Sequence, residues 1–270
     1  VLMYGFYNYA KSYFYNSPMA SSGMPSEKEL ELLEPWRGKI PDRVFTHDWV
    51  GNETEGFGYN RENVKRALAL MKEAGWEIRD GVMTNVETGQ PFEIDFIFGS
   101  PFGLRQELPF MAWLNRIGIE TSARAMETSN WLYRTRNGKF DATHMGFTAS
   151  NVPGIMLRNR LGTSAADSDG GQNWGNIRNP AVDAMIEHVM AARNIDDFYA
   201  ATRALDRILL WSFYYVPGLA APGYRLVYWN RFGQPDDPPR LLRPAWLDTW
   251  WWDEEKAGVV AEGMAELTGK

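Results

Sequence analysis

Residues 92–125 read FEIDFIFGSPFGLRQELPFMAWLNRIGIETSARA, and this stretch decides the fold class. At its start, apolar residues alternate with acidic ones in the period of a strand with one buried face: Phe92, Ile94, Phe96 and Phe98. The turn GSPFG follows, a helix is predicted over 104–117 with Gly118 at its end, and residues 119–125 alternate again. A strand, a helix and a second strand in succession predict a parallel α/β layer.

The segments before this layer predict two helices. Ser26 is placed to cap a short helix, with Glu29 three residues on in a capping box. Asn60 caps a longer helix that runs to Ala74, and Gly75 stops it. The apolar face of the longer helix has helical spacing: Val64, Leu68 and Met71.

The segments after the layer predict a short helix over 129–137, a third strand over 141–147 and two long helices. Asn179 and Pro180 open the first long helix, and the second spans 196–212. Their apolar residues recur at matching positions: Val182, Ile186, Val189, Phe198, Leu205 and Leu209. Both long helices are therefore expected to pack on the sheet.

A polar stretch over 148–178 separates the third strand from the long helices. It holds Trp174 among several glycines, and we expect a loop of this length to be functional or mobile. Beyond residue 217 the chain predicts an extended segment, a proline-rich bend and a tail containing WLDTWWWD.

Composition excludes several classes of function. The 270-residue chain is 44% hydrophobic, so it can bury a core. Its 28 basic and 34 acidic side chains give a net charge of -6, which offers no electrostatic reason to bind nucleic acid or an anionic membrane. Because cysteine is absent, disulfides, thiolate nucleophiles and cysteine-ligated metals are excluded. Aromatic residues make up 14% of the chain, and we expect some of these rings to line a cleft.

No catalytic or metal-binding pattern stands out. The three histidines lie far apart and lack a triad or metal-ligand companion: His47, His144 and His188. The carboxylates at 236–237 and 253–255 are typical of solvated segments. The run DSDGG at 167–171 faintly resembles a calcium loop, but its glycine comes too early and the bidentate glutamate is missing. We therefore expect no enzyme activity, no cofactor and no metal.

The sequence shows neither a secretory signal nor a membrane-spanning segment. The start, VLMYGFYNYAKSYFYN, lacks the succession of a secretory signal, and no apolar run is long enough to cross a bilayer. We expect any signal to have preceded Val1.

Four blocks resemble, in order and spacing, the second lobe of family 5 peptide-binding proteins of ABC importers. They are YNRENVKRALALMKEAGW at 59–76, LNRIGIETSARAM at 114–126, GKFDATHMGF at 138–147 and NPAVDAMIEHV at 179–189. The opening FYNYAKSYFYNSPMASSGMPSEKELELLEP and the closing YWNRF and WLDTWWWD resemble the Yej-type branch, which serves import of peptides, microcin C-like conjugates and muropeptides.

The resemblance implies an α/β fold of the two-lobe, type II periplasmic binding-protein kind, with this chain supplying mainly the second lobe. Residues 1–217 would form that lobe, incomplete at its N-terminal side. Residues 218–270 would be the hinge return and a segment that packs on the first lobe, which the resemblance places before Val1. Rotation near 217–224 would close the two lobes on a ligand.

The resemblance also implies the ligand contacts, which follow the third strand and lie in the next loop: Phe147, Thr148, Ala149, Ser150, Asn151, Gln172, Asn173 and Trp174. An extended peptide can add to the first stretch as a strand, while Trp174 would form an apolar wall. Many oligopeptide binders place an aspartate soon after the equivalent of Phe147, where this chain has Ser150 and Asn151. That departure favours a ligand that is blocked, glycosylated or anionic at this end.

Two further residues are ligand candidates. Arg105 follows the turn GSPFGL at a predicted helix start, where it would meet a carboxylate together with the N-terminal amides. An exposed arginine at a helix end is the alternative. Trp131, with Tyr133 beside it, is a cleft candidate for which core packing is the alternative.

The predicted function is that of a periplasmic, non-catalytic substrate-binding component of an ABC importer. It would capture peptides or muropeptides and deliver them to permease subunits in the inner membrane. The expected partners are that ligand, the permease and the first lobe of the same protein, without nucleic acid. The alternatives are a peptidase or glycosidase whose catalytic groups lie in the first lobe, and a chemoreceptor-type ligand sensor of the same fold.

Overall fold

The computed structural model describes residues 6–51, 60–147, 153–168, 170–223, 225–237 and 246–268. The chain divides into two units: a larger unit of residues 1–149 and 153–220, and a smaller unit of residues 150–152 and 221–270.

The first half of the larger unit contains strands β1 (Asn8–Tyr9), β2 (Trp76–Arg79), β3 (Val82–Asn85), β4 (Glu93–Phe98) and β5 (Glu120–Ala125), and helices α1 (Glu27–Leu33), α2 (Arg43–Thr46), α3 (Arg61–Glu73) and α4 (Pro101–Arg116). Its second half contains helices α5 (Thr128–Arg136), α6 (Ile155–Leu161), α7 (Thr163–Ala166), α8 (Pro180–Ala191) and α9 (Ile195–Trp211), and strands β6 (Ala142–Thr143) and β7 (Leu219–Ala220). The smaller unit contains β8 (Phe232–Gly233), α10 (Trp246–Thr249), β9 (Trp251–Trp252) and α11 (Glu254–Thr268).

The predicted parallel layer is confirmed. Strand β4 lies in the centre of a three-stranded sheet, and both β5 and β6 run parallel to it. The expectation of one buried face on β4 is wrong at its carboxyl end, where Ile97 is buried as fully as Phe96 and Phe98. The third strand is shorter than predicted, since only Ala142–Thr143 pairs with β4.

Helix α4 begins earlier than predicted. The residues read as the turn GSPFG form its cap and first turn: the Ser100 hydroxyl oxygen accepts from the Gly103 amide, and Pro101 occupies the first helical position. A proline at that position and a serine before it are ordinary start signals, because the missing N–H has no helical partner there. The helix ends as expected before Gly118, whose positive φ and close approach to the Gly81 carbonyl leave no room for a Cβ.

The prediction that the two long helices pack on the sheet is wrong. Helix α8 packs against α9, and α9 also contacts α1 and α2, while the sheet buries its own smaller cluster with α4. The reason is that α9 is buried around most of its circumference, so its neighbours must surround it. The predicted caps Ser26, Asn60 and Asn179 all accept backbone hydrogen bonds at their helix starts.

Two adjacent charged residues of α9 hold the N-terminal segment in place. Asp206 is fully buried and accepts hydrogen bonds from the backbone amides of Tyr13 and Ser21, each at 2.9 Å. Burial raises the pKa of Asp206 from 3.8 to about 6, although these hydrogen bonds oppose the shift. Arg207 is paired with Glu29 of α1 at 2.6 Å, and both side chains are buried. The aromatic N-terminal segment is therefore fixed to the central helix.

Three features of the fold were not predicted. Strands β2 and β3 form an antiparallel hairpin around Asp80 and Gly81, which both have positive φ, the combination that two-residue hairpin turns use. The polar stretch 148–178 contains helices α6 and α7 rather than a continuous loop. Of the carboxylates at 253–255, Glu254 and Glu255 are exposed as expected, whereas the Asp253 side chain accepts from the Lys256 amide at the start of α11.

Within the described residues, no helix has both the length and the apolar character needed to cross a bilayer.

Candidate functional site

The candidate site lies where β4 and β6 end at the carboxyl edge of the sheet. Gly99 directly follows β4, and the indole of Trp131 rests on it so closely that a Cβ at this position would lie 2.8 Å from the ring. The Trp131 indole N–H donates to the Thr143 hydroxyl at 2.9 Å, and that hydroxyl donates to the Ile97 carbonyl at 2.8 Å. Ligands of open α/β sheets bind at this kind of edge.

Trp131 also contacts Trp174, the aromatic residue of the following loop. Their ring centroids are 5.3 Å apart and nearly perpendicular, an edge-to-face arrangement. The indole N–H of Trp174 is buried and has no hydrogen-bond partner among the described residues. The two predicted tryptophans are thus brought together from sequence positions 43 residues apart.

The loop that carries Trp174 is held by its neighbour, Asn173. The buried Asn173 amide donates to the carbonyls of Gly162 and Ile177 and accepts from the Ile177 amide, all at 2.9 Å. The Asn173 side chain therefore holds the backbone of the loop in its conformation. Gln172, in contrast, is exposed, so we expect it rather than Asn173 to reach a ligand.

A chain of aromatic contacts connects this loop to Phe147, the first predicted contact. The Gly175 amide donates to the Tyr215 hydroxyl at 2.9 Å, and Tyr215 meets Tyr13 at 6.0 Å between centroids. Tyr13 in turn meets Phe147 edge to face at 5.4 Å. Burial raises the pKa of Tyr215, while the Gly175 hydrogen bond and the positive charge of Arg160 oppose that rise.

Arg160 of α6 lies against this aromatic chain without a counter-ion. Its guanidinium carbon is 5.6 Å from the centre of the Phe147 ring. The Nη1 atom is buried without a hydrogen-bond partner, and Arg160 forms no ion pair with any described residue. The other arginine of the same helix, Arg158, forms a two-point ion pair with Glu187.

The other predicted ligand residues have different outcomes. Arg105 is exposed in the second turn of α4, because the helix begins three residues earlier than predicted. Arg105 forms no ion pair with a described residue. The free backbone amides of the first helical turn, which were expected to bind a carboxylate together with Arg105, lie before it in α4. Thr148, Ala149, Ser150 and Asn151 lie outside the described residues. Their role stays a prediction.

His144, one residue beyond β6, is linked to α4. Its Nδ1 atom is 3.2 Å from Glu107 Oε1, and this hydrogen bond raises the pKa of His144 even though partial burial opposes the rise. The contact ties the end of the strand to the helix. Sequence reasoning had treated this histidine only as a failed catalytic candidate.

Metal-binding groups do not converge in the described part of the chain. No three His, Asp or Glu side chains among these residues are arranged to hold a metal ion. Asp167, the first residue of the run that resembles a calcium loop, is paired with Arg178. The edge of the sheet presents the Trp131–Trp174 pair, and the linked aromatic chain contains three buried polar atoms without a hydrogen-bond partner among the described residues, on Tyr13, Trp174 and Arg160. This arrangement suits binding.

Comparison with curated proteins gives clear relatives. The chain is 36% identical over 250 residues to the probable peptide-binding protein YejA of Agrobacterium fabrum, an alignment that covers 93% of this chain and 41% of that protein. It is 31% identical to YejA of Escherichia coli, covering 96% of this chain and 42% of the relative. The chain is homologous to the Yej-type proteins of solute-binding family 5. It spans about two fifths of the length of these relatives.

A further relative, at 29% identity over 92% of this chain, is the peptidoglycan-binding protein YepA of Agrobacterium fabrum, of which the chain covers 40%. No family model matches the chain.

Solved structures confirm the fold class. NikA of Brucella suis, solved with Fe(III)-EDTA, superposes on 82% of the chain with a TM-score of 0.54 at 18% identity, and 38% of NikA is covered. The oligopeptide-binding protein AppA of Bacillus subtilis, solved with a nonapeptide, superposes on 83% of the chain with a TM-score of 0.50 at 17% identity, and 45% of AppA is covered. The fold is α/β and of the type II periplasmic binding-protein kind, and the chain corresponds to part of such a protein.

Proposed function

We propose that this chain is part of the substrate-binding component of an ABC importer and that it captures peptides or peptide-containing fragments of peptidoglycan. The observation that carries the proposal is the pair of tryptophans at the carboxyl edge of the sheet, Trp131 and Trp174. The loop of Trp174 is linked to Phe147 through Tyr215 and Tyr13. The tryptophan pair occurs in a chain homologous to proteins named as binding peptides and peptidoglycan. Such aromatic rings pack against varied side chains, while polar groups at their margin fix the ligand.

The proposed ligand contacts are Phe147, Gln172 and Trp174, together with the stretch 148–151 and the more peripheral Arg105. Trp131 packs against Trp174 and supports it. We do not assign Trp131 a polar contact with the ligand, because its indole N–H already donates to Thr143. We assign no catalytic role, since the relatives are binding proteins and the site presents aromatic rings with unpaired donors.

The partners and location follow from this proposal. A binding component of this type works in the periplasm and delivers its ligand to permease subunits in the inner membrane. Residues 1–217 would form most of one lobe, and 218–270 would return across a hinge to the other lobe. The smaller unit carries exposed aromatic side chains suited to such packing: Trp229, Trp251 and Trp252.

The proposal is tested by native mass spectrometry of the purified protein, followed by calorimetric titration with tetra-alanine and with a muropeptide. We expect an intact co-purified ligand or micromolar binding of at least one of the two. Trp174→Ala should weaken that binding by about tenfold or more, as truncation of a buried aromatic contact does.

The matched control is Trp113→Ala, which removes a tryptophan in the last turns of α4, away from the carboxyl edge of the sheet. This variant should bind like the wild type. Cleaved products instead of intact ligand would indicate a hydrolase, and equal losses in both variants would remove the site from the carboxyl edge.

A further inference from the structure

We propose that Arg160 binds a carboxylate of the ligand and thereby makes the protein select ligands with a negative charge at the Phe147 end of the site. This inference rests on the proposed function. It specifies the charge of the ligand and the residue that binds the charged group. Arg160 was not among the residues that the sequence pattern indicated.

The guanidinium of Arg160 has no ion-pair partner among the described residues. The guanidinium lies against the Phe147 ring, with Nη1 buried and unbonded, and the side chain is only partly exposed. A buried guanidinium N–H without an acceptor costs free energy, so such groups are usually paired or used. An arginine in this state is ready to pair with an anion that arrives with a ligand.

Among the described residues, no carboxylate pairs with Arg160. Between Asp141 and Asp167 the chain contains two arginines and no acidic residue. Arg158 is neutralised by Glu187 of α8, whereas Arg160 is not. The buried carboxylate that contacts the Tyr13 backbone, Asp206, accepts hydrogen bonds on both oxygens from the N-terminal segment. Beside the Phe147 ring, the positive charge of Arg160 is therefore not neutralised by any described residue.

The shape of the Arg160 side chain favours a carboxylate as its partner. A guanidinium is a planar fork whose parallel N–H groups match the two oxygens of a carboxylate. Packing of Arg160 on Phe147 and its proximity to Tyr215 restrict the plane of that fork before a ligand binds. Less conformational freedom is then lost on binding, which favours a specific charged contact. A ligand with a free carboxylate would be bound here in preference to one that is amidated.

The test compares three peptides that differ in one group: N-acetyl-tetra-alanine with a free carboxyl terminus, the same peptide as its amide, and an amide in which the last alanine is glutamate. Binding is measured by calorimetry to the wild type, to Arg160→Met and to Arg158→Met. Methionine keeps much of the side-chain volume without the charge, and Arg158 is the matched control on the same helix.

We expect the wild type to prefer the free acid over its amide by about 10- to 100-fold, the range of one charge-assisted hydrogen-bonded contact. Arg160→Met should abolish that preference by weakening binding of the acid far more than binding of the amide, and Arg158→Met should retain it. If the glutamate-containing amide binds as well as the free acid, the site recognises any carboxylate at this end of the ligand. If it binds like the plain amide, the site reads the terminal one.

A second measurement separates this role from a structural one. Arg160→Met should keep or raise the thermal unfolding midpoint, because it removes an unpaired charge, whereas a structural arginine would lower it. An acid preference that survives in Arg160→Met, or equal weakening of acid and amide, overturns the inference and leaves the proposed function standing. Failure of all three peptides and of a muropeptide to bind the wild type would refute the proposed function itself.

Discussion

Replacing Arg207 with methionine removes one half of a buried ion pair, and we expect a severe loss of stability in the larger unit. The Arg207 Nε atom lies 2.6 Å from Glu29 Oε2, and the two side chains are 2% and 3% exposed. The guanidinium also donates to the carbonyls of Gly23 and Ser22 at 2.8 and 3.0 Å. Because the variant leaves the Glu29 carboxylate buried and unpaired, the free energy of unfolding should fall by about 3–5 kcal/mol.

The double variant Glu29→Met with Arg207→Met tests the reason for that loss. It removes the stranded carboxylate together with its partner, and replacing a buried ion pair by apolar side chains is often close to neutral. The remaining loss is that of the bonds to the carbonyls of Ser22 and Gly23, about 1 kcal/mol each. The double variant should therefore be more stable than the single one, with a total loss of about 2 kcal/mol.

Urea unfolding followed by tryptophan fluorescence and far-ultraviolet circular dichroism measures both losses. With a slope of about 2 kcal/mol per molar urea, the single variant should lower the midpoint by about 2 M and the double variant by about 1 M. Arg158→Met, which removes an exposed ion pair, is the control and should leave the midpoint nearly unchanged. A single variant that is as stable as the double one would refute the reasoning.

Three further predictions concern other groups. Burial raises the pKa of Asp206 from 3.8 to about 6, so the stability that this group contributes is present below pH 3.8 and is lost as the pH rises to 6. Over that pH window, the free energy of unfolding of the wild type relative to Asp206→Asn should fall by about 3 kcal/mol. A rise would contradict the shift. The pKa of His144 measured by NMR should exceed 6.5 and move down in Glu107→Gln, and an unchanged value would exclude the contact as its cause. Asn173→Ala should lower the free energy of unfolding by about 2–4 kcal/mol because it strands buried backbone groups, whereas Gln172→Ala should not, and equal stability of the two variants would contradict the assigned roles.

Local patterns in the sequence predicted most of the larger elements, because each depends on residues that are near one another in the chain. The period-two run ending at Phe98, the helix before Gly118 and the caps Asn60 and Asn179 all have short-range causes, and all occur in the structure. The hairpin at Asp80 and Gly81 had an equally local signal, which sequence reasoning overlooked.

Errors arose where a local pattern was extended to packing. The spacing of apolar residues in α8 and α9 shows which faces are buried but not against what, and the partner is a helical core rather than the sheet. Short helices such as α6 have too few turns for a distinct period, so they were hidden in a stretch that reads as polar loop.

The sequence by itself determined the α/β class, the absence of cysteine chemistry and the resemblance to family 5 binding proteins, since these rest on composition and on the order of residues. Only the tertiary structure decided that Trp131 meets Trp174, that Asn173 is used to shape its loop and that, among the described residues, Arg158 has a counter-ion while Arg160 has none. The physical reason is that pairing and burial depend on groups distant in the chain: Glu187 and Arg158 are 29 residues apart, and no local spacing shows which of two nearby arginines will meet a carboxylate.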